Sequence, residues 1–409
     1  MEHESRGSIW ISLLILVFLV MGTTLAILYA KGYRFNFLSG KPTVSKTGLL
    51  VTTSIPDGAA VFVNGALKTA TNNTLDLAPG QYTITISKDG YFSWKKNVEI
   101  QKELVTKANA LLYPVAPKLE SITVTGVQTP LIDPSHTKIA YLVASQSAAK
   151  NGIYVYDMNS RSVLSLQTAT KQVVSDTRGA FSTSAISWSP DGEQILATIS
   201  GTLGPATYLL QANQLNTTPQ NVTTILPSIQ AQFKADKMQK IQSQVVGLKP
   251  ALKKMIAENF TILAWSPDDT KILYVASQSA DLPLIIKPRL LAVDTLYEKR
   301  QVKAGGLYVY DIKEDRNTKI LDQTPSICST DADTCDLPVT WFPDSAHFIM
   351  VNDKQIHMVD YDGANDTVVY AGPFLDNYVF PWVDGTRLVM LTNLNNSTIL
   401  PNLYTISLK

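Results

Sequence analysis

From residue 134 onward one short pattern returns five times: PSHTKIAYLV (134–143), PDGEQILATI (190–199), PDDTKILYVA (267–276), PDSAHFIMVN (343–352) and VDGTRLVMLT (383–392). Each copy opens on turn-forming residues and runs into aliphatic, aromatic or β-branched ones, as a tight turn followed by a strand would. Three copies are preceded by an aromatic-bearing strand, ISWS (186–189), LAWS (263–266) and VTWF (339–342). Every copy is followed by another: GIYVYDMN, ATYLLQAN, GLYVYDIK, QIHMVDYD or NLYTISLK. The unit is therefore strand, Asp-Gly-type turn, strand, loop, strand, and usually a fourth strand. Its shortest spacing, Pro343 to Val383, is about 40 residues, the length of one four-stranded blade in a radial array.

Five units predict five blades and a mainly β chain. The last repeat stops at its third strand, NLYTISLK, and LESITVTG (119–126), just ahead of the first repeat, can supply the fourth. Closure of that kind removes the open sheet edges of a linear array. Trp188, Trp265 and Trp341 are expected to fill the spaces between blades. Asp191, Asp268 and Asp344 are blade-turn residues, and the first two are expected to cap their turns. His347 occupies the slot that holds Lys138, Gln194, Lys271 or Arg387 in the other copies, which predicts an exposed turn residue.

Ahead of the repeats, Ile9–Tyr29 (IWISLLILVFLVMGTTLAILY) is almost wholly apolar and uncharged. Crossing a bilayer takes about 20 helical residues, so residues 9–30 predict a single membrane span after a short tail, 1–8. The run is longer than the apolar region of a cleaved secretory signal, and no A-x-A-like site ends it, which favours an uncleaved anchor. Arg6 precedes the span, whereas Lys31, Arg34, Lys41 and Lys46 follow it. Counted by the positive-inside rule, these charges would leave the C-terminal bulk in the cytoplasm; long domains, however, translocate largely regardless of charge.

After a linker, 31–46, residues 47–113 read as a small all-β unit of five short strands, suited to a compact sandwich. GLLVTTSI (48–55) alternates and stops at Pro56-Asp57-Gly58; AVFV (60–63) turns at Asn64-Gly65, the hairpin signal that needs positive φ twice. Pro79-Gly80 leads into QYTITISKDGY, and KKNVEI (95–100) follows. This order, with Pro56-Asp57-Gly58-Ala59 and LAPGQYTITISKDGYFSW, resembles the PEGA domain, Asp57 standing where the family has Glu. The resemblance implies a β-sandwich of bacterial envelope proteins, usually without catalytic residues. The repeats over 118–409 in turn resemble the TolB-type, WD40-like propeller repeat built on Trp-Ser-Pro-Asp-Gly. Together the two resemble membrane-anchored PEGA-domain proteins of bacteria. That implies a single-pass membrane protein with extracytoplasmic C-terminal domains, against the flanking charges.

In a four-stranded meander blade, second-to-third loops and blade-to-blade connections share one face, and Asp-Gly turns lie on the other. Three long excursions belong to the first set: a helical insert (226–260), the stretch 280–304 and a loop over 322–338. All three are expected to decorate one face, turned away from the membrane, and long loops on a rigid scaffold commonly carry function. In the insert, Ile229, Phe233, Ile241, Val245, Leu248, Leu252 and Met255 recur at helical spacings, and Gly247 with Pro250 suggests a helical hairpin. Lys234, Lys237, Lys240, Lys249, Lys253 and Lys254 make it basic. It reads either as a lid with a solvated basic back or as a docking surface for an anionic polymer, lipid headgroups or a partner helix.

No nucleophile elbow, zinc helix, P-loop or dinucleotide fingerprint occurs, so the sequence points to no catalytic residue, cofactor or metal. The net charge of +1 offers no global footprint for nucleic acid. Cys328 and Cys335 would form a disulfide if the domain lies outside the cell. The leading expectation is a non-catalytic, membrane-anchored envelope protein that binds a protein partner or wall polymer through the insert-bearing face. A structural spacer without specific ligand is the alternative, and a hydrolase with groups converging from several blades a more distant one.

Overall fold

The computed structural model describes residues 4–30, 33–36, 43–159, 169–202, 204–291, 296–323, 339–375 and 378–409. Cys328 and Cys335 lie outside these residues. The chain divides into two compact units, residues 1–112 with 286–297 and residues 113–285 with 298–409.

Helix α1 (Glu4–Ala30) contains an exposed apolar stretch, Trp10–Ile27, long enough to cross a membrane. Its two threonine hydroxyls donate back to the preceding turn, Thr23 to Leu19 O and Thr24 to Val20 O at 2.7 Å each. Such internal pairing spares a polar group that lipid cannot satisfy.

The small domain beyond it has seven strands in two sheets rather than five in all. One sheet orders Asn73–Leu77, Gly48–Ile55 and Val105–Leu111; the other orders Ala66–Ala70, Ala60–Val63, Gly80–Ser87 and Trp94–Ile100. Two of the strands missed by alternation, Ala66–Ala70 and Asn73–Leu77, have no buried residue, so no apolar period marks them. Leu50, Val61, Ile84, Ile86, Val98 and Leu112 form the core. Asn64 (φ 50°) and Gly65 (φ 81°) make the hairpin turn that their types predict. Ala59, fully buried, donates its N–H to the Thr71 hydroxyl at 3.0 Å behind the Pro56–Gly58 turn.

The second unit contains five four-stranded antiparallel sheets, the blades of a β-propeller. Blade one is Gln128–Ile132, Lys138–Val143, Gly152–Asp157 and Thr170–Ser175; blade two is Ala185–Trp188, Gln194–Gly201, Gly204–Gln211 and Gln220–Asn221. Blade three is Phe260–Trp265, Lys271–Ala276, Leu307–Asp311 and Arg316–Leu321; blade four is Val339–Trp341, His347–Asn352, Gln355–Asp360 and Thr367–Tyr370. Blade five takes Val379–Pro381, Arg387–Thr392 and Asn402–Ser407 from the C-terminal end and Leu119–Ser121 from before blade one. Leu119 pairs with Ile406 and Ser121 with Tyr404, which closes the fifth blade with the strand that the truncated last repeat demands.

Apolar clusters show which faces meet. Tyr141 and Val143 of blade one pack with Trp382, Val389 and Leu403 of blade five. Its other face meets Trp188, Ile195 and Leu210 of blade two. Leu273 and Val309 of blade three meet Trp341 and Phe348 of blade four. On the remaining face of blade three, Phe260, Tyr274, Tyr308 and Tyr310 pack against Leu252, Met255 and Ile256 of the insert. A helix thus stands where the repeat pattern predicts a neighbouring blade.

The excursion between the second and third strands of blade three is held at its base by a buried polar network. Asp315, 3% exposed, accepts the Ile285 N–H at 2.7 Å, the Tyr310 hydroxyl at 2.6 Å and an Arg300 N–H at 3.1 Å. Arg300 also pairs with Glu298 at 2.6 Å and donates to Pro283 O at 2.9 Å. Residues 286–297 between these legs belong to the first unit. Residues 324–338, most of the third excursion, lie outside the described residues.

Candidate binding surface on the helical insert

The insert is two helices, α2 (Leu226–Val246) and α3 (Pro250–Asn259), separated around Gly247. Proline opens α3 at a position that needs no amide donor. The helices differ in what they bury. Leu252, Met255, Ile256 and Asn259 of α3 are buried, whereas no residue of α2 is.

The apolar spacing that suggested one stripe does not hold around the helix axis. Steps of four advance about 40° each, so Ile229 and Val245 stand about 160° apart. The row that contains Leu226 and Phe233 continues as Lys237, Lys240 and Gln244. Gln244 Nε2 donates to Asp269 Oδ1, in the Asp-Gly-type turn of blade three, at 2.7 Å. Burial pushes the His136 imidazole in the blade-one turn down, and the charge of Lys240 adds to this against the opposing pull of Asp133. The end of α2 therefore lies beside the turns that were expected on the opposite face. The reason is length: 21 residues of helix span about 30 Å, more than the roughly 20 Å of a six-residue blade strand.

The six lysines consequently do not form one surface. Lys253 Nζ donates to Val246 O at 2.6 Å, capping α2, and Lys254 pairs with Glu258 at 3.8 Å within α3. Lys249 is the residue before α3, and its carbonyl accepts the Lys253 N–H. Lys237 and Lys240 share the row that faces the turns. Lys234 lies about 80° round the axis of α2 from Gln244, on the flank that also carries Met238, 59% exposed, and Ile241, 41% exposed.

The blade tryptophans and turn carboxylates hold the scaffold beneath. Trp188 packs between blades one and two, its indole N–H donating to Leu131 O at 3.0 Å. Trp341 packs between blades three and four, while Trp265 faces the cluster that contains α3. Asp191 accepts the Glu193 N–H at 3.0 Å, Asp268 the Thr270 N–H at 3.2 Å and Asp344 the Ala346 N–H at 2.8 Å. In blade one Asp133 does this work, accepting the Thr137 N–H at 2.7 Å and the Lys138 N–H at 2.6 Å. It was missed because it occupies the place of Ser189 and Ser266, two residues ahead of the aspartate in the other copies. His347, expected at the surface, is 9% exposed. Its imidazole Nδ1 pairs with Asp344 at 2.7 Å, and that pairing carries it inward.

A small, shallow concavity lies between Gly126–Gln128, Ala144–Ser145 and Leu400–Pro401 and is lined by no titratable side chain.

Residues 47–115 match the PEGA domain family. No curated protein matches the chain significantly. Among solved structures, a TolB-type protein of Agrobacterium tumefaciens is similar at 14% identity and TM-score 0.20, covering 68% of this chain and 72% of its own. TolB of Acinetobacter baumannii is similar at 13% identity and TM-score 0.18, covering 80% of this chain and 59% of its own, less than two thirds. The β-propeller domain of the Trilobed protease from Pyrococcus furiosus is similar at 13% identity and TM-score 0.20, covering 88% and 96%. Residues 47–115 of this chain are a PEGA domain, set between an apolar N-terminal helix and a β-propeller.

Proposed function

We propose that this protein is a non-catalytic, membrane-anchored component of the cell envelope that binds a protein partner through helix α2. The observation that carries this reading is a 21-residue helix with no buried residue, held at its end by Gln244 and continued by a helix that is part of the core. A helix of low intrinsic stability gains little by projecting unless something covers it. Lys234, Met238 and Ile241 supply the charge and apolar area of the contact. The apolar helix α1 serves as an uncleaved anchor, and the soluble units lie outside the membrane on its extracytoplasmic side.

The test is recovery of envelope proteins on the full chain and on a Lys234→Glu/Met238→Asp variant, after equal thermal stability shows both are folded. Deleting the whole insert would not serve, because α3 belongs to the blade-three core. The reading expects partners lost with the variant; recovery of the same set by both forms would leave a spacer role instead. Sidedness is tested with a Lys234→Cys variant and a membrane-impermeant maleimide on spheroplasts. Labelling only after lysis would place the propeller inside the cell.

A further inference from the structure

We propose that Tyr297 guards the sheet edge of the PEGA domain and closes it to strand addition by a second copy of this chain. The four-stranded sheet of that domain ends on Trp94–Ile100, which pairs inward with Gly80–Ser87. A strand at the edge of a sheet presents outward N–H and C=O groups that can template pairing with another chain. Tyr297 comes from the blade-three excursion, 200 residues beyond Asn97 of the edge strand, yet belongs to the same compact unit.

Which groups point outward follows from the register. Thr83 lies opposite Asn97. It donates its N–H to Asn64 Oδ1 at 2.9 Å and accepts the Asn64 N–H on its carbonyl at 2.9 Å, so both its backbone groups turn away from Asn97. In such an antiparallel pair the opposite residue turns its own groups away as well. The Asn97 N–H accordingly leaves the sheet, and it donates to the Tyr297 hydroxyl at 3.3 Å. Lys96 Nζ lies 5.5 Å from the centre of the Tyr297 ring, within cation–π reach. Further along the edge the Glu99 carbonyl, outward by the same alternation, accepts the Thr106 hydroxyl at 3.1 Å. Two of the outward groups on this edge are therefore met by side chains of the protein itself.

The sequence of the edge strand suits its own copy. In an antiparallel pairing centred on Asn97, Lys95 of each chain faces Glu99 of the other, and Lys96 faces Val98. Lys95, Asn97 and Glu99 alternate with Trp94, Val98 and Ile100, and the last three lie buried in the sandwich core. Both charge pairs therefore fall on the outer face of the sheet, where opposite charges directly across from each other stabilise a pairing. At the centre the two Asn97 residues exchange N–H and C=O groups, and this uses the N–H that the Tyr297 hydroxyl takes. Tyr297 and a second copy compete for one donor.

The experiment uses the full chain in detergent micelles. Hydrogen exchange at the Asn97 amide, resolved by mass spectrometry at high dilution where copies stay apart, reads the guard. Sedimentation at high protein concentration, with the detergent density-matched, reads the number of copies per particle. Tyr297→Ala should speed Asn97 exchange about tenfold, the weight of one ordinary hydrogen bond, and should raise the particle mass above that of wild type. Tyr297→Ala/Asn97→Pro should return to the wild-type mass, because proline removes the outward N–H and an edge strand tolerates it there. If Tyr297→Ala fails to fold, Tyr297→Phe, which keeps the ring and loses only the oxygen, decides by the same two readings. Asn97 exchange equal in wild type and variant, an unchanged particle mass, or a gain in mass that survives Asn97→Pro overturns the proposal.

Discussion

Leucine 252 separates the two helices of the insert by what their side chains cost to remove. It lies on α3, is 3% exposed, and packs in one cluster with Phe260, Tyr274 and Tyr310 of blade three. Leu252→Ala deletes buried methyl groups and leaves a gap between a helix and a sheet, a class of change that costs about 2–5 kcal/mol. Met255 and Ile256 flank the gap and can move only partly into it, so a value near the middle, about 3 kcal/mol, is expected. For a unit of this size each kcal/mol lowers the melting temperature by about 2–4 °C, so the propeller transition should fall by roughly 6–12 °C. Met238→Ala on α2, at a side chain that is 59% exposed, should change stability by less than about 0.5 kcal/mol. Calorimetry of the full chain, with each variant read against wild type in the same detergent, measures both. A fall of under about 2 °C for Leu252→Ala, or an equal effect of Met238→Ala, would refute the assignment of α3 to the blade-three core.

Three further outcomes are expected. Asp315→Asn leaves Arg300 with Glu298 alone at the base of the blade-three excursion and should cost about 3 kcal/mol, read as the shift in urea midpoint at constant slope. Asp268 is held at about 2: burial raises it, but the Ser266 and Thr270 hydroxyls, the Thr270 N–H and Lys271 outweigh that. A depressed carboxyl contributes stability above its unfolded value of about 3.9 and loses it as pH falls toward 2, so Asp268→Asn should flatten that part of the melting-temperature profile. Removing residues 1–42 should move the protein from the membrane to the soluble fraction, and intact mass of the wild-type protein should retain Ile9–Tyr29; a cleaved N-terminus would replace the anchor with a signal.

Much of the fold was legible because strands with one buried face advertise their period. Arg387–Thr392 and Lys138–Val143 are nearly continuous apolar runs behind Asp-Gly-type turns, and the strand missing after Asn402–Ser407 had a matching segment upstream. The polar strands Ala66–Ala70 and Asn73–Leu77 were not legible, since edge strands with exposed side chains have no apolar rhythm. The insert was read as helical from its spacing, yet the lysines divided among several jobs. Spacing of three and four does not fix a face over 21 residues, because the row drifts with each step.

What the sequence determined by itself was local: a span of apolar residues, turns set by Asn64-Gly65 and the Asp-Gly copies, and five units that each need neighbours to bury their faces. These are short-range preferences, written residue by residue. What only the tertiary structure decided was which surface meets which. Blade three packs on α3, Asp133 takes over the carboxylate role in blade one, and His347 turns inward between Asp344 and Asp360. Such choices depend on contacts between residues far apart in the chain. An imidazole slot in a repeat looks like any other until the carboxylate of another strand is seen beside it.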